Sequence, residues 1–565
     1  MTKKWQIYQT TEKEETKIKE VCEKYNINKL LATILVNRKI IDNEDLNIFL
    51  NPNRKNFHDP FMMPDMEKAV KRIKEAIKNQ EKVIIYGDYD ADGITSITVL
   101  KSFLNDIGLD VSYYIPNRLD EGYGLNNNAI EKIVKEKFTL MITVDCGISA
   151  IDEIEYANSL GIQTIVTDHH EVAEKLPKAI AIVDAKRKDN KYPCRDLAGV
   201  GVVFKLIQAL SIEFGLPEES YLRYLDIVCV GTISDIVSLT DENRVIAKLG
   251  LMLVNQTKNL GLRALLKSSG YKRIDSTAIS FGVAPRINAC GRMGHAEKAL
   301  ELFLSKDIYE IRKLTNELNE FNKLRQETEK NIYNEAVSII EEKKIFNNNT
   351  IVLAGDNWHH GVIGIVASKI TEKYFKPSIL LCNEDNLAKG SGRSIPGFDL
   401  HEALMKCSDT IERFGGHSMA IGITLRNDMI NEFNSSLEKI AKDANIDEIL
   451  PIIKIDGMLD LFDVSKETVR SLEQLEPFGE GNKMPIFAVR NLKIDSIRAL
   501  SEGKHIKMTL RQNNTTINAI GFNLGKLVND YKIGDKIDVV GTLEINTFNG
   551  VDTIQINLKD VRKTI

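Results

Sequence analysis

The sequence predicts an α/β protein in which two α/β domains are joined by one long helix and followed by a small C-terminal β-barrel. Beyond Lys82, short apolar runs such as KVIIYG and TLMITVD alternate with helical stretches, which indicates a parallel sheet with right-handed crossovers. Residues 306–344 carry apolar side chains at helical spacing and contain no Gly or Pro. After about residue 450, β-rich runs separated by GD, NN and NG turns suit a barrel.

These elements divide the 565-residue chain into five segments. A chain of this length is expected to form several domains rather than one core. The linking helix would be of order 50 Å long, at about 1.5 Å per residue. In chain order, the segments are an N-terminal helical segment (1–50), a first α/β domain (51–305), the linking helix (306–344), a second α/β domain (345–447) and the barrel domain (448–565).

The composition is that of an ordinary soluble globular protein, with 43% hydrophobic and 27% charged residues. No run of about 18 apolar residues is present, so we expect no membrane span. The N-terminus lacks the apolar core of a signal peptide. The seven cysteines are scattered and form no CxxC pair, which indicates neither a zinc site nor a disulfide framework. We therefore expect a reducing cytoplasm.

The net charge of -5 argues mildly against a protein that binds nucleic acid over its whole surface. The balance is uneven, however, because residues 481–565 contain 13 Lys and Arg against 8 Asp and Glu. A basic C-terminal module on an acidic body is typical of a nucleic-acid-binding surface. On charge alone, chance variation in composition explains the difference equally well.

Acidic residues and histidines follow the predicted strands of the first α/β domain. Ligand sites in parallel sheets lie beyond the carboxyl ends of the strands, so these side chains are expected to converge on one edge. A further acidic residue follows the apolar stretch 227–234. The set consists of Asp88, Asp90 and Asp92 after VIIYG, Asp145 after LMITV, Asp168, His169 and His170 after TIVT, and Asp235.

Carboxylates gathered at one edge need counter-charge, and divalent metals supply it. Mixed Asp and His ligands suit Mn²⁺, Mg²⁺ or Zn²⁺. Two ions about 3.5–4 Å apart can share a carboxylate and hold a phosphoryl group between them. The alternative for any single Asp is that it caps the helix that follows, which is common. The complete set, with its two adjacent histidines, favours a two-metal site.

At this point the sequence resembles a known family. YGDYDADG at 86–93, VDCG, TDHH and ISDIV resemble four motifs of the DHH phosphoesterase superfamily, and VAPRINACGR at 283–292 resembles a fifth. GSGRS at 390–394 and FGGHSMAIG at 414–422 resemble its associated domain. With WHHGVIGIVAS at 358–368, the set resembles the RecJ family of single-strand-specific 5′ to 3′ exonucleases, over roughly residues 80–560. The resemblance makes 51–305 a DHH catalytic domain, 345–447 a DHH-associated domain and 448–565 an OB-fold.

The resemblance also implies a metal-ligand set. Asp90 would bind one ion and Asp92 the other, with Asp145 between them. His169 and Asp235 would complete the second site.

Three further residues receive supporting roles from the resemblance. Asp88 would act beside the first ion or as a direct ligand. His170 would reach the scissile phosphate, and Asp168 would hold the imidazole in position. Some family members have His where this chain has Tyr86, and a neutral phenol is a poor ligand. That departure weakens the expected affinity of the first site.

Two groups of residues are expected to hold the nucleic acid. The segment 285–292 reads as a loop, and its guanidinium groups would bind phosphates. The glycine-rich motifs would let backbone N–H groups approach an anion. Surface arginines and tight turns are the alternatives. The candidates are Arg286, Asn288 and Arg292 in the first group, and Ser391, Arg393, Ser394 and His417 in the second.

The barrel resembles an OB-fold, which binds single strands through a basic groove and stacking aromatics. Phe487, Phe522 and Phe548 are candidates for stacking, although filling the barrel core is the alternative for each. The candidates for phosphate contacts are Lys504, Lys507 and Arg511, for which solvated surface charge is the alternative.

The resemblance implies metal-assisted hydrolysis of single-stranded DNA from its 5′ end to 5′-mononucleotides, with two Mn²⁺ or Mg²⁺ ions per site. It further implies a monomer that acts in DNA repair and recombination, with single-strand-binding protein and a helicase as partners. Two alternatives stay open. One is a phosphodiesterase for short oligonucleotides or cyclic dinucleotides. The other is a non-catalytic single-strand-binding replisome protein.

Overall fold

The computed structural model describes residues 3–118, 120–548 and 550–564. Between residues 83 and 167 its strands alternate with α-helices, and beyond residue 487 the strands follow one another without an α-helix, as the sequence predicts. The strands are β1 Lys4–Ile7, β2 Val83–Gly87, β3 Val111–Tyr114, β4 Leu140–Val144, β5 Gln163–Thr167, β6 Ala181–Val183, β7 Ile351–Gly355, β8 Ser378–Glu384, β9 Leu387–Arg393, β10 Arg413–His417, β11 Ala420–Arg426, β12 Ile452–Ile455, β13 Gly457–Met458, β14 Phe487–Leu500, β15 His505–Gln512, β16 Thr515–Gly521, β17 Lys536–Phe548 and β18 Val551–Lys563.

The helices are concentrated in the first two thirds of the chain. They are α1 Glu12–Tyr25, α2 Lys29–Asn37, α3 Asn43–Leu50, α4 Met66–Asn79, α5 Ala91–Asp106, α6 Asn127–Lys135, α7 Ile151–Ser159, α8 Gly199–Glu213, α9 Glu219–Leu222, α10 Leu225–Ser234, α11 Asp241–Val254, α12 Leu260–Ser269, α13 Ser276–Ala278, α14 Ala284–Arg292, α15 Ala296–Leu304, α16 Ile308–Glu342, α17 His360–Tyr374, α18 Leu400–Met405, α19 Ile430–Asp443 and α20 Lys466–Ser471.

The chain folds into two compact units that are not continuous in sequence. The central unit contains His58–Val237 and Leu249–Ile449. The terminal unit contains Met1–Phe57, Ser238–Lys248 and Leu450–Ile565. No helix within the described residues is long and apolar enough to cross a membrane.

The central unit begins with a five-stranded parallel sheet in the order β3-β2-β4-β5-β6. All residues of β2 and β4 are buried. Continuous apolar strands of this kind are typical of a parallel sheet covered by helices on both faces. The carboxyl ends of β2, β4 and β5 therefore lie side by side, as the sequence predicts.

Helix α16 has 35 residues and joins the two α/β regions of the central unit. It begins where the Asp307 side chain accepts the backbone N–H groups of Tyr309 and Glu310. At about 1.5 Å per residue its length is about 50 Å. The predicted linking helix is thus confirmed.

The second sheet of the central unit has the order β10-β11-β9-β8-β7, and only β7 and β8 run parallel. Helix α17 and the end of α16 cover one face, where Leu380 of β8 joins their apolar core. Helices α18 and α19 cover the other face, against Ile379 and Ile421. This first face continues across β11 and β10, beyond the strands β8 and β9 that α17 contacts.

The terminal unit is built around a barrel of strands β14 to β18, closed by pairing of β14 with β17. Helices α1 to α3 pack against it, so that Ile18 and Leu35 share one core with Leu510 and Val539. Strand β1 pairs in parallel with β12. The predicted C-terminal barrel is confirmed.

One local prediction is wrong, because the segment 285–292 is not a loop. Residues Ala284–Arg292 form α14, which follows a π-helical turn at Ile279–Val283. Pro285 lies in the first turn, where a missing N–H costs no hydrogen bond. The glycine near the end is required by packing, since a Cβ on Gly291 would lie 2.3 Å from the carbonyl oxygen of Tyr89.

Candidate active site

Asp90 stands between strand β2 and helix α5, at the edge of the parallel sheet. Its carboxylate accepts the backbone N–H groups of Asp92 at 2.9 Å and Gly93 at 3.1 Å, and so caps the helix. The capping alternative is therefore real for this residue. It does not exclude a ligand role, because Asp90 also lies in a group with Asp88 and Asp145 whose ligand atoms are within 4.8 Å of one another.

Asp92 is almost fully buried, at 1% exposure. Its two oxygens accept the first backbone N–H groups of α8, from Gly199 at 2.6 Å and Val200 at 2.8 Å. A Cβ on Gly199 would lie 2.7 Å from the Asp145 Cβ and 2.9 Å from the Asp92 carboxylate. Glycine at this position is thus what allows α8 to begin against the acidic cluster.

Asp145 is the first residue after β4 and has a left-handed backbone, with φ of 58°. Positive φ is uncommon outside glycine, but aspartate tolerates it better than most residues. The backbone N–H of Asp145 donates to the carbonyl of Thr167 on the neighbouring strand. This turn directs the carboxylate toward His169, with 3.1 Å between Oδ1 and Nε2.

His169 brings a second set of ligand atoms together. Its Nε2 lies 3.6 Å from Asp235 Oδ2 and 3.8 Å from Asp92 Oδ2. Burial, followed by the neighbouring His170, lowers the pKa of His169 to about 3, so the ring is neutral at neutral pH. Asp235 ends helix α10 rather than a strand. Among the described residues, the His169 Nε2 has no hydrogen-bond partner.

The carboxylates repel one another in this site. Burial, then Asp90, raises the pKa of Asp92 to about 7 and that of Asp88 well above its ordinary value. Burial raises the pKa of Asp145 likewise, with contributions from the other carboxylates of the cluster. Within the described residues, Asp88 Oδ1 also has no hydrogen-bond partner. Buried, repelling carboxylates with free lone pairs beside a neutral imidazole fit divalent cations.

Asp168 holds the second histidine. The Nδ1 of His170 lies 2.7 Å from Asp168 Oδ1. The Asp168 carboxylate also accepts the backbone N–H groups of Ile148 and His169. Burial opposes protonation of His170, but the hydrogen bond and charge of Asp168 outweigh it and raise the pKa of His170. His170 therefore carries its other nitrogen outward as a fixed, readily protonated group.

Tyr86 lies in the core below the cluster and is fully buried. Its hydroxyl donates to the carbonyl of Gly124 at 3.0 Å and accepts from Asn126 at 3.3 Å. Both partners belong to the loop after β3, so Tyr86 supports that loop from the core.

That loop contains two residues that the sequence analysis missed. The hydroxyl of Tyr123 lies 3.3 Å from His170 Nε2 and 3.4 Å from the carbonyl of Asp145. The guanidinium of Arg118 lies over the ring of Tyr89, 5.1 Å from its centroid. The signal was available, because the loop also follows the carboxyl end of a parallel strand.

Two of the predicted DNA-binding residues instead serve the fold. Arg286 donates from Nε to Asn319 at 2.7 Å and from its terminal nitrogens to the carbonyls of Gly282 and Ser268. Asn288 accepts the backbone N–H of Ala91 at 2.8 Å, which fixes the start of α5 beside the acidic cluster. Neither is arranged as a free phosphate ligand.

We expect Arg286→Ala to lower the melting temperature rather than the affinity for DNA. The substitution removes a donor from the part-buried carbonyls of Gly282 and Ser268, at a cost of about 1–3 kcal/mol. Differential scanning fluorimetry and the KM for single-stranded DNA would separate the two effects, with the exposed Arg312→Ala as the control. A raised KM at unchanged melting temperature would contradict the structural role.

Arg292 links the acidic cluster to the second α/β region. It donates from NH1 to the carbonyl of Gly361 at 3.0 Å, in the first turn of α17. Burial, then the charge of Arg118, lowers the pKa of Arg292 to about 10. Burial and Arg118 likewise lower the pKa of His359, so positive groups are crowded here. An anion would relieve that crowding.

The glycine-rich motifs form an open face on the second sheet. Register places Ser391 beside Gly422 and Gly415, and Arg393 beside Ala420 and His417. We call these six residues the glycine face. A Cβ on Gly415 or Gly422 would meet nothing within 4 Å. Arg393 donates to the Ser391 hydroxyl at 2.9 Å, so both side chains line the inner edge of this face.

Ser394 does not belong to the glycine face. It is 5% exposed, and its hydroxyl donates to the carbonyl of Phe398 at 2.7 Å. Its predicted role in phosphate binding is not supported by this geometry, since the hydroxyl is committed to a turn.

In the barrel, some of the residues predicted to contact DNA are exposed, whereas others are buried or already paired. Phe487 is 2% exposed and fills the barrel core, which was the alternative to stacking on a base. Phe522 is 51% exposed, and its ring meets that of His505 edge-on. The side chain of Phe548 lies outside the described residues. Lys504 is exposed and Lys507 half-buried. Arg511 donates to Asp495 at 2.7 Å, so its charge is already paired.

At its carboxyl edge the parallel sheet carries clusters of possible metal ligands and a histidine held by Asp168. This arrangement defines a metal-dependent phosphoesterase of the DHH type. Three family models match the chain. They are the DHH family, N-terminal domain, at residues 82–232, the DHHA1 domain at 347–443 and the RecJ OB domain at 455–560.

Curated relatives match over nearly the whole chain. The single-stranded-DNA-specific exonuclease RecJ of Bacillus subtilis is 39% identical over 99% of this chain and 70% of the relative. That of Haemophilus influenzae is 33% identical over 93% of this chain and 94% of the relative. The crystal structure of RecJ from Thermus thermophilus in complex with Mn²⁺ has a TM-score of 0.86 at 29% identity, over 100% of this chain and 80% of that one. The chain belongs to the RecJ family.

Proposed function

We propose that the protein is a metal-dependent exonuclease that hydrolyses single-stranded DNA from its 5′ end and releases 5′-mononucleotides. The observation that carries the proposal is the pair of ligand groups that adjoin at Asp145 and His169, at the carboxyl edge of the parallel sheet. The relatives are named as single-stranded-DNA-specific exonucleases. The polarity and the product follow from the resemblance of the motifs.

The proposed ligand sets follow from the geometry. Asp88, Asp90 and Asp145 would hold one ion. Asp92, His169 and Asp235 would hold the other, with the Asp145 carboxylate 3.1 Å from His169 as the shared group. When bound, Mn²⁺ or Mg²⁺ supplies Lewis-acid chemistry, which lowers the pKa of water and offsets charge on a phosphate. Crystal structures of T. thermophilus RecJ are described with Mn²⁺ and with Mg²⁺.

The protein's own groups then act on the scissile phosphate. His170, fixed by Asp168, presents a positively charged N–H toward the oxygens on which negative charge develops. The hydroxyl of Tyr123 lies beside the same ring and limits its rotation. Arg118 and Arg292 add positive charge on the side of the cluster that faces α17.

A single strand would continue from the metals along α17 to the glycine face. Arg292 reaches the start of α17 at Gly361. A Cβ on Gly364, one turn further along, would lie 3.0 Å from Ser391 Oγ and 3.2 Å from an Arg393 nitrogen. The arginine side chain and the unshielded backbone of the glycine face would then hold the phosphates.

The decisive experiment is digestion of 5′- and 3′-labelled single and double strands of one sequence, with Mn²⁺, with Mg²⁺ and with EDTA. We expect the 5′ label to be released first, as a mononucleotide, from single strands only and not in EDTA. A dinucleotide substrate tests the short-oligonucleotide alternative. Cleavage of dinucleotides in preference to long strands, or initial release of the 3′ label, would contradict the proposal.

We expect Gly422→Val to fold normally and to raise the KM for single-stranded DNA at least about tenfold. A Cβ at this position meets nothing within 4 Å, and valine is favoured in strands, but the new side chain occupies the glycine face. The half-buried strand residue Gly457, which also has open space where a Cβ would lie, supplies the matched control Gly457→Val. An unchanged KM together with an unchanged melting temperature would remove the glycine face from the DNA path.

The biological setting belongs to the same proposal. We place the protein in the cytoplasm as a monomer that acts in DNA repair and recombination, with single-strand-binding protein and a helicase as partners. All seven cysteines, each within the described residues, are free, which supports a reducing compartment.

A further inference from the structure

Ile236 follows the proposed ligand Asp235 and is unusual in two ways. Its backbone is left-handed, with φ of 61°. Its side chain is 71% exposed, although the next residue, Val237, is buried. Ile236 thus combines a strained backbone conformation with an apolar side chain exposed to solvent.

The local fold does not require isoleucine at this position. Ile236 lies just past the end of α10, where a left-handed residue commonly terminates a helix. Glycine or asparagine normally takes that place, and a β-branched residue with positive φ is a genuine outlier. Glycine here would remove the strain and the exposed apolar surface together.

Ile236 directly follows Asp235, which is one of the more exposed members of the metal cluster. The side chains of Asp92 and Asp145 are 1% and 4% exposed, whereas those of Asp235 and His170 are 21% and 41% exposed. The cluster therefore opens between Asp235 and His170. Consecutive Cα atoms are about 3.8 Å apart, which places Ile236 at the rim of this opening.

We propose that Ile236 contacts the nucleobase next to the scissile phosphate. This inference rests on the proposed function, because a scissile phosphate at the metals brings the adjoining 5′-terminal base to the rim. Apolar side chains of this kind contact or wedge against base faces in other nucleic-acid-binding proteins. A base face offers apolar surface whatever the sequence, so the contact would position every nucleotide without reading its identity.

The test is a thermodynamic cycle in which the side chain, the base, or both are removed. Single-turnover cleavage in Mn²⁺ is measured for wild type, Ile236→Gly and Ile236→Leu on two 5′-labelled single strands. One strand is natural, and the other has a tetrahydrofuran abasic residue at its 5′ terminus. The melting temperature with and without Mn²⁺ is measured for each variant as a check of folding and of metal binding.

We expect Ile236→Gly to slow cleavage of the natural strand about tenfold and to leave cleavage of the abasic strand within about twofold of wild type. Ile236→Leu should stay near wild type on both strands. Equal loss on both strands, or no loss on either, would overturn the inference. Failure of wild type to cleave the natural strand would instead overturn the proposed function, so the two outcomes are distinguishable.

Discussion

Replacing Asp145 with asparagine is expected to lower kcat on single-stranded DNA by about a thousandfold or more. Asp145 is the carboxylate that adjoins both ligand groups, so its loss affects both metal positions at once. Loss of several kcal/mol of charge stabilisation corresponds to this factor, at 1.36 kcal/mol per tenfold. The measurement is release of a 5′ label at saturating Mn²⁺, with the exposed Asp110→Asn as the control.

The same variant should have the opposite effect on stability without metal. Burial and the neighbouring carboxylates raise the pKa of Asp145 above its unfolded value. The wild type therefore loses stability as pH rises through that raised pKa, whereas asparagine does not titrate. In EDTA we expect Asp145→Asn to melt at a higher temperature than wild type, by a margin that grows from pH 5 to pH 8. Added Mn²⁺ should stabilise the wild type more than the variant.

Two results would argue against this account of Asp145. Wild-type kcat in the variant at saturating Mn²⁺ would remove the shared carboxylate from the reaction. A lower melting temperature of the variant in EDTA at pH 8 would show that repulsion in the cluster is already neutralised by other groups.

Replacing Asp168 with asparagine should lower kcat by about 10²–10⁴-fold and leave metal binding intact. An amide in place of the carboxylate cannot hold His170 in the protonated, outward-pointing state, and a comparable change in a serine protease has an effect of this order. Asp168 itself belongs to none of the possible metal-ligand groups of the described residues, and His170, which it holds, belongs only to the group with Asp145 and His169. The measurements are kcat and the rise in melting temperature on adding Mn²⁺.

A matched control for Asp168→Asn is available in the same unit. Asp226 is also a buried aspartate, and it accepts hydrogen bonds from the Ile227 backbone and the Thr257 hydroxyl. We expect Asp226→Asn to change stability and not kcat. If Asp168→Asn instead abolishes the stabilisation by Mn²⁺, Asp168 supports the metal ligands rather than the phosphate contact.

The position of the acidic part of the site could be predicted from the sequence, because one rule about parallel sheets determines it. Parallel strands end at the same edge of a sheet, so residues that follow β2, β4 and β5 must lie near one another. The structure brings Asp92, Asp145 and His169 together at that edge. Asp235 is predicted because it follows the apolar stretch 227–234, but that stretch forms helix α10, so the strand rule does not explain its position.

The basic part of the site could not be predicted in the same way. Arg286 and Arg292 occupy one short segment and have the same side chain, yet one is bound to internal carbonyls and the other faces α17. Six positions of helix α14 separate the two arginines, so the helical rotation points their side chains in different directions. A loop prediction does not include this rotation. Ser394 and Phe487 are similar cases, because only packing shows that each is buried.

The packing of α1 to α3 against the barrel affects how the protein is made. The first 57 residues share their core with residues beyond 450, so their apolar partners are translated roughly 390 residues later. At about 5–20 residues per second, that interval is roughly 20–80 s. The nascent N-terminus therefore leaves the ribosome with Leu31 and Leu35 uncovered, while the central unit can form in the meantime. Chaperone binding during synthesis should accordingly concentrate on the first 57 residues.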